Sequence, residues 1–274
     1  MHFTKMHGLG NDFVVIDAMN QTISLSPEQI RFMSNRNFGI GFDQLLLVEK
    51  PVSDTADFKY RIFNADGSEV AQCGNGARCF ARFVRDKNLS DKNEIRVDTD
   101  AGQLLLCFDA DGLITVNMGV PRHQPSEVPL SAEQEAVLYA VQVENQQYQF
   151  GAVSMGNPHA VIQVADIKTA PVAELGKALE SHALFPERAN IGFMQIINRH
   201  SVKLRVYERG AAETLACGSG ACAAVVVGIE QQLLDSPVQV ELAGGTLNIR
   251  WAGRGEPVWM TGAAVAVFDG VIAL

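Results

Sequence analysis

The chain has 274 residues, 47% of them hydrophobic, and a formal net charge of -9 with a pI near 5.2. That is enough length for one large core or two smaller ones. The acidic balance, with no basic patch to neutralise phosphates, argues against a nucleic-acid partner, and no apolar run reaches membrane-spanning length. Five cysteines, an odd number, suit free thiols in a reducing compartment better than a disulfide framework, so a cytoplasmic location is expected. The opening MHFTKMHGLGNDF has neither the basic nor the apolar region of a signal peptide.

In chain order, His2 to Asp17 reads as two strands around the glycine turn Gly8-Leu9-Gly10-Asn11. Ser26-Pro27-Glu28-Gln29 is a helix start: a capping residue, then proline, then an acid in the first turn. Strands follow at Leu45 to Val48 and Tyr60 to Phe63, then a helix from Gly76 to about Lys87 with Ala77, Phe80, Ala81 and Val84 on one side. Glu94 to Thr99, Gln103 to Asp109 and Gly112 to Met118 read as antiparallel strands with Asp111-Gly112 as a turn. A boundary is placed near Gly119-Val120-Pro121. Beyond it, Tyr139 to Val143 and Gln147 to Val153 read as strands. Met155 to His159 reads as a turn before a strand at Ala160 to Val164. Pro171 to His182 is a helix, and Met194 to Ile197 and Ser201 to Tyr207 are strands. Cys217 to Gln232 is a second glycine-started helix, followed by strands Val238 to Leu242 and Thr246 to Trp251 and an apolar, strand-like tail from Gly262 to Leu274.

One stretch occurs twice. Asn64 precedes Cys73-Gly74-Asn75-Gly76 by the same nine residues that separate Glu208 from Cys217-Gly218-Ser219-Gly220 (73 minus 64; 217 minus 208). Gly10-Asn11 recurs as Gly156-Asn157, and Ile40-Gly41-Phe42-Asp43-Gln44 as Ile191-Gly192-Phe193-Met194-Gln195. The period, 217 minus 73 or 144 residues, is domain-sized, so the chain is a duplicated domain. The expected organisation is residues 1–118 carrying Cys73, residues 119–261 carrying Cys217, and a C-terminal strand at 262–274. The expected class is α/β of the α+β type, two pseudo-symmetric halves, each mostly strand with one glycine-started helix.

A helix start offers backbone N–H groups without intrahelical partners, a seat for a carboxylate or phosphate. The same field is expected to lower the pKa of a cysteine placed there. Halves related by a pseudo-twofold axis would bring the two cysteine loops face to face across a cleft, with one thiol on each side of a substrate carbon. Such a pair can remove a proton from one face and return one to the other, which is racemisation or epimerisation. The competing readings are cysteine as a small core hydrophobe, zinc ligation and a redox pair. The spacings Cys73/Cys79 and Cys217/Cys222 do not fit zinc, and no Cys-X-X-Cys supports a redox pair. Cys79, Cys107 and Cys222 read as core thiols; His123, His182 and His200 read as surface or edge residues.

At these residues the sequence resembles the diaminopimelate epimerase family over nearly its full length. The resemblance is carried by Gly8-X-Gly10-Asn11-Asp12-Phe13, Asn64-X-Asp66-Gly67-Ser68, Cys73-Gly74-Asn75-Gly76-Ala77-Arg78, Gly156-Asn157-Pro158-His159, Asn190-Ile191-Gly192, Glu208-Arg209-Gly210 and Ala216-Cys217-Gly218-Ser219-Gly220. Proline-type racemases carry histidine after Cys-Gly, where this chain has Asn75. The resemblance implies two pseudo-symmetric domains, each a barrel-like, mostly antiparallel sheet around a central helix, with the C-terminal strand returning to the first. It implies a cytoplasmic homodimer of lysine and cell-wall precursor synthesis that interconverts LL- and meso-2,6-diaminopimelate without pyridoxal phosphate, metal or nucleotide. Cys73 and Cys217 would alternate as base and acid, tuned by His159 and Glu208. Backbone N–H groups of Gly74, Asn75, Gly218 and Ser219 would hold the reacting carboxylate. Asn11, Gln44, Asn64, Asn157, Asn190, Glu208 and Arg209 would complete the pocket. Two alternatives stay open: another cofactor-independent amino-acid racemase of the same fold, and a small-molecule binding protein.

Overall fold

The structure, a computed structural model, describes residues 1–70 and 73–274. The chain forms two compact units, Met1–Asn117 with Thr261–Leu274, and Met118–Met260. In the first, β1 (His2–Gly8) and β2 (Asn11–Asp17) precede α1 (Pro27–Ser34), β3 (Gln44–Glu49), β4 (Phe58–Asn64) and β5 (Glu69–Val70). Then come α2 (Gly74–Asp86), β6 (Glu94–Thr99), β7 (Gly102–Phe108) and β8 (Ile114–Asn117). The second holds β9 (Tyr139–Val143), β10 (Gln146–Ser154), β11 (Pro158–Gln163), α3 (Val172–Glu180), β12 (Asn190–Asn198), β13 (Ser201–Glu208) and β14 (Ala212–Thr214). It continues with α4 (Gly218–Glu230), β15 (Val238–Leu242), β16 (Gly245–Arg250) and β17 (Trp259–Gly262). The chain leaves the second unit within β17, and β18 (Val265–Val271) pairs antiparallel with β1 in the first.

The pairing pattern is the same in both units. β1–β2 is antiparallel, β2–β3 parallel, β3–β4 antiparallel, β4–β6 parallel and β6–β7 antiparallel. β10–β11, β11–β12, β12–β13, β13–β15 and β15–β16 repeat that sequence in order. Even a surface ion pair recurs at the 144-residue period. Arg61 Nε meets Glu69 Oε1 at 2.6 Å, and Arg205 Nε meets Glu213 Oε1 at 2.6 Å.

Local chemistry explains the elements. Ser26 and Gln29 make a reciprocal capping box at the start of α1. β6 alternates buried Ile95 and Val97 with exposed Glu94 and Arg96, whereas β2 buries four residues in a row, Phe13 to Ile16. The two glycine-started helices are buried on almost every side: α2 packs on β1, β2, β3, β7, β8 and β18, and α4 on β10, β11, β12, β13 and β16. An Ala- and Val-rich helix such as α4 is stable only in that setting.

Several local expectations change. The Met155 to His159 stretch is not wholly a turn: Pro158 and His159 already belong to β11, where His159 pairs with Val153 and with Asn190. β12 begins at Asn190, not Met194, because five consecutive buried residues disguise the alternation of a strand. β5, β14 and β17 are too short for periodicity to reveal. His123 is not a plain surface residue; half-buried, it stacks on Trp251 with ring centroids 6.0 Å apart. Cys79 and Cys222 are core thiols, but Cys107 is only partly buried.

Candidate active site

Each unit presents one cysteine at the N-cap of its central helix. Cys73 (φ -145°, ψ 121°) and Cys217 (φ -111°, ψ 107°) are both extended, and neither side chain caps its helix. Their backbone carbonyls accept the first intrahelical bonds, Cys73 O from Ala77 N–H at 2.8 Å and Cys217 O from Ala221 N–H at 3.0 Å. The amides of Gly74, Asn75 and Gly76, and of Gly218, Ser219 and Gly220, precede the first i→i−4 bond and form a potential anion seat. The third residue after each cysteine is a glycine in a tight place. A Cβ at Gly220 would lie 3.0 Å from Val206 Cγ2 and 3.2 Å from Cys217 Sγ, and one at Gly76 would lie 2.7 Å from Tyr60 Oη.

Around Cys73, the turn between β1 and β2 supplies Asn11. Cys73 Sγ donates to Asn11 Oδ1 at 3.9 Å, and Asn75 Nδ2 donates to the same oxygen at 3.4 Å. Tyr60, buried in β4, donates through its hydroxyl to Cys73 O at 3.3 Å. Gln44 and Asn64 sit opposite each other across β3 and β4, and Gln44 Nε2 donates to Asn64 Oδ1 at 3.0 Å. Asn64 Nδ2 in turn donates to Ser68 Oγ at 3.1 Å.

Around Cys217 the network runs through a hydroxyl. Cys217 Sγ lies 3.7 Å from Ser219 Oγ, which is 3.1 Å from His159 Nε2 and accepts from Asn157 Nδ2 at 3.5 Å. His159 Nε2 is also 3.1 Å from Asn157 Oδ1. Burial, and then the positive charge of Arg209, hold the His159 pKa down at about 3. The ring is thus neutral at neutral pH, and it fixes Ser219 and Asn157 rather than gaining and losing a charge.

Cys217 overturns the expectation of an acidified thiol. Burial, followed by the negative charge of Glu208, pushes its pKa well above the ordinary range; the Gly220 N–H and Ser219 act in the opposite sense but do not win. Glu208 is itself held by Thr214, whose hydroxyl donates to Oε1. Glu208→Gln keeps the shape and removes the charge, so the Cys217 titration should move to lower pH. Thiolate absorbance followed against pH in a Cys73→Ser background reads this; an unmoved midpoint would mean burial acts alone.

Asn190 is buried, and both ends of its amide serve the backbone. Nδ2 donates to Pro158 O at 3.1 Å and Oδ1 accepts from Arg209 N–H at 3.0 Å. It braces the exposed Arg209, whose Nη1 donates to Glu187 O at 3.1 Å. Around Cys73, in the first unit, stand two groups to which no sequence motif points, Tyr60 beneath the cysteine and Asp43, to which Asn11 Nδ2 donates at 3.0 Å. Tyr60 carried no signal beyond strand propensity. Asp43 stands inside the repeated Ile40 to Gln44 segment but aligns with Met194.

The sequence profile described as diaminopimelate epimerase matches residues 3–124 and 151–267. A diaminopimelate epimerase of Nitrosospira multiformis is 58% identical over 274 residues, covering 100% of this chain and 99% of its own. One of Nitrosomonas europaea is 58% identical with the same coverage. Among solved structures, a hydroxyproline epimerase from Agrobacterium vitis matches with a TM-score of 0.71 at 15% identity, over 98% of this chain and 91% of that one, a likeness of fold. The chain belongs to the diaminopimelate epimerase family.

Proposed function

We infer that this protein epimerises LL-2,6-diaminopimelate to the meso form by a cofactor-independent, two-cysteine mechanism. The observation that carries this reading is the repeated thiol at the start of a buried helix in each half of a family member. Inversion requires that the proton leave one face of the α-carbon and arrive on the other, so Cys73 and Cys217 take opposite roles and exchange them with direction. An α-proton is a weak acid, and a strongly basic thiolate is the right partner for it. The raised pKa of Cys217 serves that end: at rest it is a thiol able to donate, and once it has donated it is a strong base. First-turn N–H groups of both helices would hold the reacting carboxylate as negative charge grows on the carbon. The helix-end fields contribute about 0.3–2 kcal/mol, against the roughly 8–23 kcal/mol an enzyme supplies, so positioning and exclusion of water carry the rest.

Those contacts serve any α-amino acid, so specificity belongs to the far end of the substrate. Arg209, braced by Asn190, can grip a distal carboxylate with two donors, and Gln44, Asn64 and Asn157 offer both donors and acceptors to an amino-acid group. A homodimer is supported by β18, which exposes Val265, Val267, Phe268 and Val271. Five free cysteines support a reducing, cytoplasmic setting. No helix among the described residues is long and apolar enough to cross a membrane.

The test is α-deuterium uptake in heavy water with LL-diaminopimelate, and separately with proline. Deuterium should enter diaminopimelate together with inversion, and proline should remain unlabelled. Exchange of proline alone would favour a proline-type racemase, and no exchange of either would favour a binding protein.

A further inference from the structure

Asn11 touches the Cys73 sulfur, and its amide could present either end to it. An oxygen would accept the S–H; an NH2 would donate to the thiolate. The surrounding groups decide between them. At one end of a chain of contacts stands Arg78, wholly buried and able only to donate, with Nη2 3.0 Å from Asn75 Oδ1. That leaves the Asn75 Nδ2 to donate to Asn11 Oδ1 at 3.4 Å. At the other end stands Asp43, whose Oδ2 accepts from Asn11 Nδ2 at 3.0 Å and from Asp12 N–H at 3.1 Å. Arg36 fixes that carboxylate, with Nη2 2.9 Å from Asp43 Oδ1, while its fork also grips Asp12 at 2.9 and 2.8 Å. Lys5 anchors Asp12 from beneath at 2.5 Å. All the bonds point the same way: donation runs from Arg78 through Asn75 and Asn11 to Asp43.

We propose that Asp43 is a positioning residue for the reaction, holding the Asn11 amide so that its oxygen, never its nitrogen, faces Cys73. The consequence is chemical. Cys73 is kept as a thiol by an acceptor, and the thiolate formed in turnover receives no donor from Asn11, so it stays a strong base for a weakly acidic α-proton. With Asp43 gone, Asn11 can turn its NH2 to the sulfur, stabilise the thiolate and weaken it as a base. This inference rests on the proposed role of Cys73 and names a residue outside that set.

Asp43→Ala is a clean probe, because the residue's backbone N–H remains tied to Asp12 Oδ1 at 2.9 Å and Asp12 O at 3.0 Å. The other ionisable groups about Cys73 are Tyr60 on β4, Arg78 and Cys79 on α2, and the Lys5, Asp12 and Arg36 cluster. Burial raises Tyr60 well above its usual range and Cys79 to about 12, so neither titrates with Cys73 below that range. The measurement is the rate of iodoacetamide alkylation of each cysteine against pH, resolved by peptide mass spectrometry. In Asp43→Ala the Cys73 midpoint should fall by about one pH unit, the worth of one hydrogen bond, with Cys217 unmoved. kcat for diaminopimelate should fall about tenfold, with a smaller change in KM. A loss of activity with the Cys73 midpoint unmoved would make Asp43 merely structural and overturn the proposal. Should Asp43→Ala not fold, Asp43→Leu keeps the volume without offering Asn11 an acceptor and is judged by the same midpoint; Asp43→Asn removes the charge but keeps an acceptor, so its midpoint should fall less, and an equal fall would reduce the effect to charge and overturn the proposal. Failure of the epimerase reading would appear in the unaltered protein as absent inversion, whereas failure of Asp43's role appears only in the Cys73 midpoint.

Discussion

Cys73→Ala and Cys217→Ala should each lower kcat/KM for epimerisation by about 100- to 10,000-fold, the range that positioned proton transfer contributes. The loss should be nearly as large in the double variant, because two groups that act as one unit do not add. The single variants have a sharper signature than lost turnover. Each keeps one base, and one base reaches one face of the carbon. Cys73→Ala should therefore wash the α-hydrogen from one stereochemical form only, Cys217→Ala from the opposite form, and neither should invert. Nuclear magnetic resonance of the LL and meso isomers in heavy water reads this directly. Near-normal inversion in either variant, or exchange of both forms by both variants, would defeat the two-thiol mechanism. Neither change should unfold the protein: Cys73 is only partly buried, and Cys217 lies at a helix end with small neighbours. Cys222→Ala, deep in α4, should do the reverse and cost stability before chemistry.

What the sequence revealed and what it hid divide along physical lines. The duplication was legible because a cysteine followed by glycine at fixed spacing from Asn64 or Glu208 is rare, and two copies 144 residues apart fix each other's register. The long strands and glycine-started helices were legible because apolar periodicity survives over seven or more residues. His159 reads as turn because Gly156-Asn157-Pro158 is strong turn chemistry, but the turn ends two residues earlier, at Asn157, and β11 starts on the proline. The direction of the Cys217 pKa is hidden from the sequence for a different reason. A helix-end field can be inferred from Gly-Ser-Gly, but depth of burial and the nearness of Glu208 depend on how β13 and α4 pack. The orientation of Asn11 is less legible still. It depends on Asp43, 32 residues along, and on Arg78, through contacts that no spacing rule relates.

Arg78→Ala should destabilise the first unit by about 3–5 kcal/mol, the largest stability effect expected at a single polar residue here. Arg78 is fully buried on α2. Its Nε donates to Ala263 O at 3.2 Å, Nη1 to Gly74 O at 3.5 Å and Nη2 to Asn75 Oδ1 at 3.0 Å. Truncation would leave a cavity the length of the side chain and remove a charged donor from three acceptors. Each buried acceptor left unsatisfied costs roughly 1–3 kcal/mol. The Ala263 contact gives the residue a second duty. Ala263 lies between β17 and β18, so Arg78 pins the place where the C-terminal strand rejoins β1. Loss of the side chain should therefore loosen β18 first, and hydrogen exchange at Val265 to Val271 should rise before exchange in α4 changes. Arg78→Met separates volume from bonding, because it refills the space without a donor. It should recover only part of the stability and leave β18 exchange high. Full recovery by methionine would show that the guanidinium's bonds contribute nothing beyond packing, and that the return of the C-terminal strand is held by its pairing with β1 alone.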